Sequence, residues 1–243
     1  MPRTAAALII GNEILSGKIA DTNTTLLARM LFELGIELRR IVVCPDEVDT
    51  ISKDLSDLRT THDLVFTSGG VGPTHDDVTI EGVAASFGRP VVRSIAVENM
   101  IRRYYGDRAT EAHFRMADMP KGAEMIRSSE APWPTIVIDN VFVLPGVPEI
   151  FELKLADLRK RLDRGQTFHS QAVYTLSGEG EIASLLERIA DDFPGVMVGS
   201  YVKWHAKDYR TKVTFDGSDA AIVTRAADTL VAELDAESFV RRE

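Results

Sequence analysis

The chain is predicted to be an α/β protein: a three-layer, mostly parallel sheet followed by a small α+β unit. Three observations lead there. From residue 5 to about residue 162, short apolar runs alternate with helix-spaced segments, as in a parallel sheet covered on both faces. A glycine-rich string at residues 67–79, TSGGVGPTHDDVT, sits where one such run hands over to a helix. The last ~75 residues change to a β-α-β-β-α-β order and suffice for a separate domain.

The elements follow in order. Residues 5–10 read as a strand. Residues 24–34 read as a helix, with Leu27, Met30, Leu31 and Leu34 on one face and Gly35 at its end. A strand at 38–43 precedes a helix at 48–58 that carries Ile51, Leu55 and Leu58 at helical spacing. A strand at 64–67 leads through the glycine string into a helix at 80–87, stopped by Gly88. Residues 95–105 and 110–116 look helical. Strands at 135–138 and 141–144 flank Asp139-Asn140, a hairpin turn. Pro145-Gly-Val-Pro-Glu149 opens a helix from about 150 to 162. Arg164-Gly165-Gln166 reads as the linker between domains at 1–164 and 165–243. The second domain holds strands at 171–176, 196–200, 209–215 and 238–240. Its helices lie at 182–190, with Ile182, Leu185, Leu186 and Ile189 on one face, and at 220–234. That order is ferredoxin-like.

Composition narrows the function classes. Hydrophobic residues are 44% and charged residues 27% of 243, ordinary for a globular protein. No apolar run of ~18 residues predicts a membrane helix, and the first residues lack the apolar core of a signal peptide. Cys44 is the only cysteine, so a reducing, cytoplasmic setting is expected. It ends an apolar run and reads as a buried structural thiol. The net charge is −9 with no basic stripe, which argues against nucleic acid as a partner. An acidic protein that binds a phosphate-bearing small molecule must supply local help from amides, helix N-termini or a metal.

The glycine string offers that help. Gly69, Gly70 and Gly72 let the backbone turn sharply and bring N–H groups close to a ligand. A side chain at Gly70 is expected to block that approach. The helix that follows favours an anion at its N-terminus, yet Asp76 and Asp77 add two carboxylates there. A cation between carboxylates and phosphate resolves the conflict. The alternative is a structural turn with Asp77 or Thr79 as helix cap. The loops at 11–21, 45–49 and 68–79 all follow strands and should converge on one crevice. Glu13 is either a loop partner or a site residue. Asp21 and Asn23 read as caps of the helix at Thr24. His75 reads as a surface histidine, with metal or phosphate contact as the alternative. Pro145, Gly146 and Pro148 shape a rigid turn, and Glu149 is a first-turn dipole partner or a site residue. Trp133, Tyr201 and Trp204 pack in a core or stack on a nucleobase or flavin.

Taken together, Gly11-Asn-Glu-Ile-Leu-Ser-Gly17, Asp21-Thr-Asn23, residues 67–79 and Leu144-Pro-Gly-Val-Pro-Glu149 resemble the molybdopterin-binding (MoaB/Mog-like) domain. More narrowly they resemble the branch shared by competence/damage-inducible protein A and the N-terminal part of eukaryotic FAD synthase. The motifs span about residues 5–160 in the family's order. Gly199-Ser-Tyr201 and Tyr209-Arg-Thr-Lys-Val-Thr-Phe-Asp216 resemble the small domain that follows in FAD synthase. The resemblance implies catalytic aspartates at Asp77 and Asp46. It implies phosphate or nucleotide binding by Ser68, Gly69, Gly70, Val71, Gly72, Thr74, Pro145 and Gly146. It also implies a divalent metal (Mg, Mn or Co) on Asp76, Asp77 and Glu13.

The implied activity is metal-dependent hydrolysis of a nucleotide diphosphate linkage of the FAD or ADP-ribose class. Adenylyl transfer to a pterin and non-catalytic nucleotide or pterin binding are the alternatives. The expected partners are a nucleotide or dinucleotide and further copies of the chain, as a dimer or trimer. Longer relatives add an NMN deamidase or an FAD-forming adenylyltransferase, activities not expected here. Glu130-Ala-Pro-Trp-Pro-Thr135 follows the FAD synthase pattern rather than a glycine-rich one, which implies a pocket unlike that for molybdopterin. The small domain is assigned to packing, dimerisation or covering the substrate.

Overall fold

A computed structural model describes residues 3–128, 130–165, 168–205 and 208–243. The chain divides into two compact units, Met1–Phe32 with Ile36–Asp163, and Glu33–Gly35 with Arg164–Glu243.

The first unit opens with β1 (Thr4–Ile10), α1 (Asn12–Leu15), α2 (Asn23–Glu33), β2 (Glu37–Cys44), α3 (Val48–Thr61), β3 (Leu64–Ser68) and α4 (Thr79–Ser86). Then come β4 (Val91–Arg93), α5 (Ile95–Tyr105), a 3-10 turn (Gly106–Arg108), α6 (Glu111–Arg115), β5 (Asp118–Pro120) and β6 (Glu124–Ile126). It closes with β7 (Thr135–Ile138), β8 (Val141–Leu144) and α7 (Pro148–Leu162). The main sheet runs β2-β1-β3-β8-β7-β6. Its first four strands are parallel, β7 runs antiparallel to β8, and β6 runs antiparallel to β7, the mostly parallel sheet expected. Central strands are buried on both faces, which is why β1 reads Ala-Ala-Ala-Leu-Ile-Ile without alternation and is buried from Ala5 onward.

Helices cover the sheet with the faces read from the sequence. α3 buries Ile51, Leu55 and Leu58, each worth roughly 1.5–3 kcal/mol of burial. α4 packs on α3 at Gly82, where an added Cβ would lie 2.5 Å from Ile51 Cγ2. The β7–β8 turn has Asp139 at φ 50°. Asn140 Nδ2 pins it by donating to the carbonyls of Arg59 and His62, both at 2.9 Å.

Three features differ from expectation. The loop after β1 contains the one-turn helix α1, held by Gly11 N–H donating to the Cys44 carbonyl at 3.2 Å. β4 and β5 pair as a separate antiparallel ribbon, and β6 adds to the sheet edge. These strands have three residues each, too short for a period-2 signal.

The second unit comprises β9 (His169–Thr175), α8 (Glu179–Asp192), β10 (Met197–Val202), β11 (Thr211–Gly217), α9 (Ala220–Glu233) and β12 (Phe239–Arg242). Its sheet order is β10-β11-β9-β12, all antiparallel, the split β-α-β arrangement expected. Ile182 and Ile189 of α8 are buried in its core with Val213, Phe215 and Leu230, and Leu185 and Leu186 pack against them. Of the linker at 164–166, Gln166 lies outside the described residues. Among the described residues no helix is long and apolar enough to cross a membrane.

Candidate functional site

The carboxyl ends of β1, β3 and β8 deliver three loops to one place. Gly69 follows β3 with φ 103°, and an added Cβ would overlap the Ile10 carbonyl oxygen. Gly69 N–H donates to the Leu144 carbonyl at 3.2 Å. Gly146, after β8, lies so close that its Cβ would stand 3.3 Å from Gly69 Cα. Gly70 has φ 63°, and a side chain there would strike Thr79 Oγ1. Thr79 is buried at the start of α4, where its Oγ1 donates to the Gly69 carbonyl at 2.9 Å and its N–H to the Gly70 carbonyl at 3.0 Å. Thr79 thus binds the loop through the carbonyls of Gly69 and Gly70. Among the described residues no hydrogen bond uses the N–H groups of Gly70, Val71 or Gly72. Successive free amides of this kind make an anion-binding concavity.

These amides border a cavity of about 660 Å³, within the range of small-molecule sites. Of the residues assigned from the sequence, Glu13, Ser68, Gly69, Gly70, Val71, Gly72, Asp77, Pro145 and Gly146 line it. The far wall is apolar, with Met116, Trp133, Ile136, Val143 and Ile150. Trp133 stacks on Tyr105 with ring centroids 6.2 Å apart. Tyr201 and Trp204 are exposed on the second unit. Every lining residue belongs to the first unit. A chain ended at Arg164 is therefore expected to melt cooperatively and to bind AMP within about threefold of the full chain. Calorimetry checks this; loss of binding in the folded shorter chain would place part of the site beyond residue 164.

The remaining assigned residues stand beside the cavity. Thr74 organises the loop: its N–H donates to Asp77 Oδ2 at 2.8 Å and its hydroxyl to the same oxygen. The Thr74 hydroxyl also holds the Asp76 carboxyl below the usual range. His75 is exposed, 3.8 Å from Asp76 Oδ1. Asp46 Oδ2 accepts from Asn12 N–H at 2.8 Å, tying the start of α1 to the loop after β2. Partial burial pushes the Asp46 carboxyl up; the Asn12 bond opposes this, and the charges of Glu13, Asp76 and Asp77 add to it. The four carboxylates therefore share one field. Among the described residues no three His, Cys, Asp or Glu side chains converge as a ready metal cluster. Mg²⁺ needs none, since it is commonly held by one or two carboxylates plus substrate phosphates. An all-oxygen set of mutually repelling carboxylates beside anion-seeking amides fits such a cation.

Three contributors escaped the sequence reading. Asn23 is not a cap. It is buried as the first residue of α2, and its Nδ2 donates to Ser68 Oγ at 2.9 Å and to the Gly146 carbonyl at 2.8 Å. Asp21 does cap, accepting from Thr24 N–H at 3.1 Å. Arg115 of α6 clamps the glycine loop from outside, donating to the carbonyls of Thr74 (2.9 Å) and Asp77 (3.4 Å). Lys154 of α7 lines the cavity while 4% exposed. A signal for it existed. Phe151, Lys154, Leu155, Leu158 and Leu162 form one buried helical stripe, and a lysine on such a stripe is buried with its charge.

Burial pulls the Lys154 ammonium down to about 8 from 10.5, against a smaller opposing effect of Asp157. Below pH 8 both folded and unfolded chains hold this proton and stability is flat. Between pH 8 and 10.5 the unfolded chain holds more of this proton, so the Lys154 contribution to stability rises with pH, partly offset above pH 9 by the raised Cys44 thiol. The expected gain is on the order of 1–3 kcal/mol. Urea titrations at pH 7.5 and 10 check it as the difference in pH response between wild type and Lys154→Met, in which the Cys44 contribution cancels. Cys44 is buried, and its thiol is pushed up to about 12 by burial and by nearby Asp54, Asp46 and Glu47. It is the inert structural thiol expected.

The fold and cavity define a class: an open α/β domain with a glycine loop and a cavity beyond the carboxyl ends of its parallel strands, the place where such sheets take ligands. Residues 6–163 match the family described as "Probable molybdopterin binding domain", and residues 167–243 match "FAD synthase, middle domain". The chain belongs to the molybdopterin-binding-domain family, in the form that carries an FAD synthase middle domain. A protein of Archaeoglobus fulgidus is 33% identical over 89% of this chain and 92% of its own length. A "Probable FAD synthase" of Caenorhabditis elegans is 31% identical over 96% of this chain, which spans about half (51%) of that protein. The crystal structure of the protein CinA, of unknown function, from Thermoplasma acidophilum matches 66% of this chain and 98% of its own, with 32% identity and a TM-score of 0.62.

Proposed function

We propose that the first unit hydrolyses a nucleotide diphosphate linkage of the FAD or ADP-ribose class with the aid of a divalent cation. The observation that carries this reading is the row of uncommitted amides at Gly70, Val71 and Gly72, facing a cavity that has carboxylates at its rim and an apolar wall beyond. Relatives named FAD synthase and CinA-like support a nucleotide ligand.

In this reading the amides and the start of α4 orient phosphate oxygens and meet charge developing on them. Pro145 and Gly146 close the opposite side. Asp77, Asp76 and Glu13 would hold Mg²⁺, Mn²⁺ or Co²⁺. A bound cation would neutralise the diphosphate and lower the pKa of the attacking water. Water adds to one phosphorus, the P–O–P bridge breaks, and two phosphomonoesters and a proton leave. Asp46 acts as a positioning residue through Asn12. Asp46→Asn, which keeps one acceptor oxygen, is expected to lower turnover about threefold to tenfold. Loss of turnover as complete as with Asp77→Asn would place Asp46 at the reacting atoms. The homo-oligomer belongs to the same proposal; the edge strand β2 exposes Ile41 and Val43, where a second copy would cover apolar surface.

The reading is tested by AMP release from FAD and ADP-ribose with Mg, Mn or Co, against an EDTA control. AMP that forms only with metal supports it. Binding without turnover under every metal would make the site a binding module, and an adenylated pterin formed from ATP would make it a transferase.

A further inference from the structure

Among the described residues of the first unit, Lys154 is the buried charged side chain. Its Nζ donates to the Trp133 carbonyl at 2.8 Å and the Thr135 hydroxyl at 3.3 Å. An ammonium has three donors, so one remains. Among the described residues no carboxylate lies at ion-pair distance. Asp157, the carboxylate whose charge reaches it, accepts from Ser128 Oγ at 2.5 Å and lies 3.9 Å from Lys160. The acids of the cavity wall are largely engaged: Asp21 with Thr24, Asp77 with Thr74, and Asp118 with Arg93 at 2.8 Å. Glu13 lies back over Gly11. A buried, unpaired cation facing a cavity carries a desolvation penalty that a bound acceptor would relieve.

Its position says which part of a ligand it meets. Nζ is held at Thr135, at the start of β7, and the sheet order β3-β8-β7 puts that strand two places from β3, whose end carries the glycine loop, roughly 10 Å at the spacing of neighbouring strands. That separation exceeds a direct hydrogen bond from Nζ to a phosphate on the amides of residues 70–72 and matches a ring farther along the ligand. The walls there, Trp133, Ile136 and Ile150, suit a flat apolar face with one polar edge.

We propose that Lys154 is the specificity residue for the heterocyclic end of the ligand, donating to a carbonyl or ring-nitrogen acceptor of a base or flavin pressed against this wall. This rests on the nucleotide reading above but not on hydrolysis. The test is calorimetry of wild type and Lys154→Met with three probes: AMP, FMN and inorganic diphosphate. Methionine keeps the volume and removes the charge. Affinity for AMP, FMN or both is expected to fall about tenfold or more, with diphosphate changed less than twofold. Loss for AMP alone identifies the base as adenine, and loss for FMN alone identifies the flavin. In wild type the affected probe is expected to weaken as pH rises from 7 through 8 to 9.5, and this measurement stands even where the variant fails to fold. Equal loss for diphosphate, no change with any probe, a flat pH profile, or no binding of AMP or FMN to wild type would overturn the proposal. Failed AMP release with these binding results intact would sink the hydrolysis reading alone.

Discussion

Asp77→Asn is expected to lower metal-dependent AMP release about 100-fold or more while leaving the melting temperature within a few degrees. The two effects separate because the carboxylate has two tasks. One oxygen accepts from the Thr74 amide and hydroxyl and holds the loop against Gly72. The charge faces the cavity. Asparagine retains an acceptor oxygen for Thr74 and removes the charge. Asp77→Ala removes both, and should add about 1–2 kcal/mol of destabilisation, because a helix-entry loop loses its side-chain acceptor. Turnover by Asp77→Asn at the wild-type rate would leave Asp77 with the loop alone.

Gly69→Ala carries the largest expected structural cost, about 3 kcal/mol or more. The residue sits at φ 103°, and its Cβ would overlap the backbone carbonyl oxygen of Ile10, an atom of the central strand that cannot swing aside. Accommodation would have to pull β1 from β3 or break the Gly69–Leu144 bond. Chemical denaturation gives the value. A loss below about 1 kcal/mol would mean that the loop has room to relax. Gly70 differs. Its Cβ meets the Thr79 side chain, so a substitution there disturbs the bond that fixes the Gly69 carbonyl. The sequence reading placed that conflict with the ligand instead.

The comparison of Gly69 with Lys154 shows where sequence suffices. Runs such as residues 5–10 and the spacing Ile51, Leu55, Leu58 declare their burial locally, and the sheet and helices were read from them. The glycine string declares a backbone demand, because φ values near 60° and 103° leave little choice of residue. Asn23 shares its type with ordinary helix caps, and only the fold reveals that Ser68 and Gly146 claim its amide. Arg115 reaches the loop across forty-one residues from Thr74, with no local pattern to mark it. β4 finds β5 across two helical segments. Lys154 was legible on its stripe, but a charged residue within a helix is ordinarily assigned to solvent.

The central claim is that water attacks a diphosphate held on the amides of residues 70–72. Its most direct measurement is turnover of FAD and ADP-ribose in ¹⁸O-labelled water with Mg²⁺ or Mn²⁺, the products read by mass spectrometry. The account predicts one ¹⁸O in the phosphate of one monoester product, at a rate that falls together in EDTA and in Asp77→Asn. Unlabelled products, or labelled ones formed equally fast by Asp77→Asn, would contradict it.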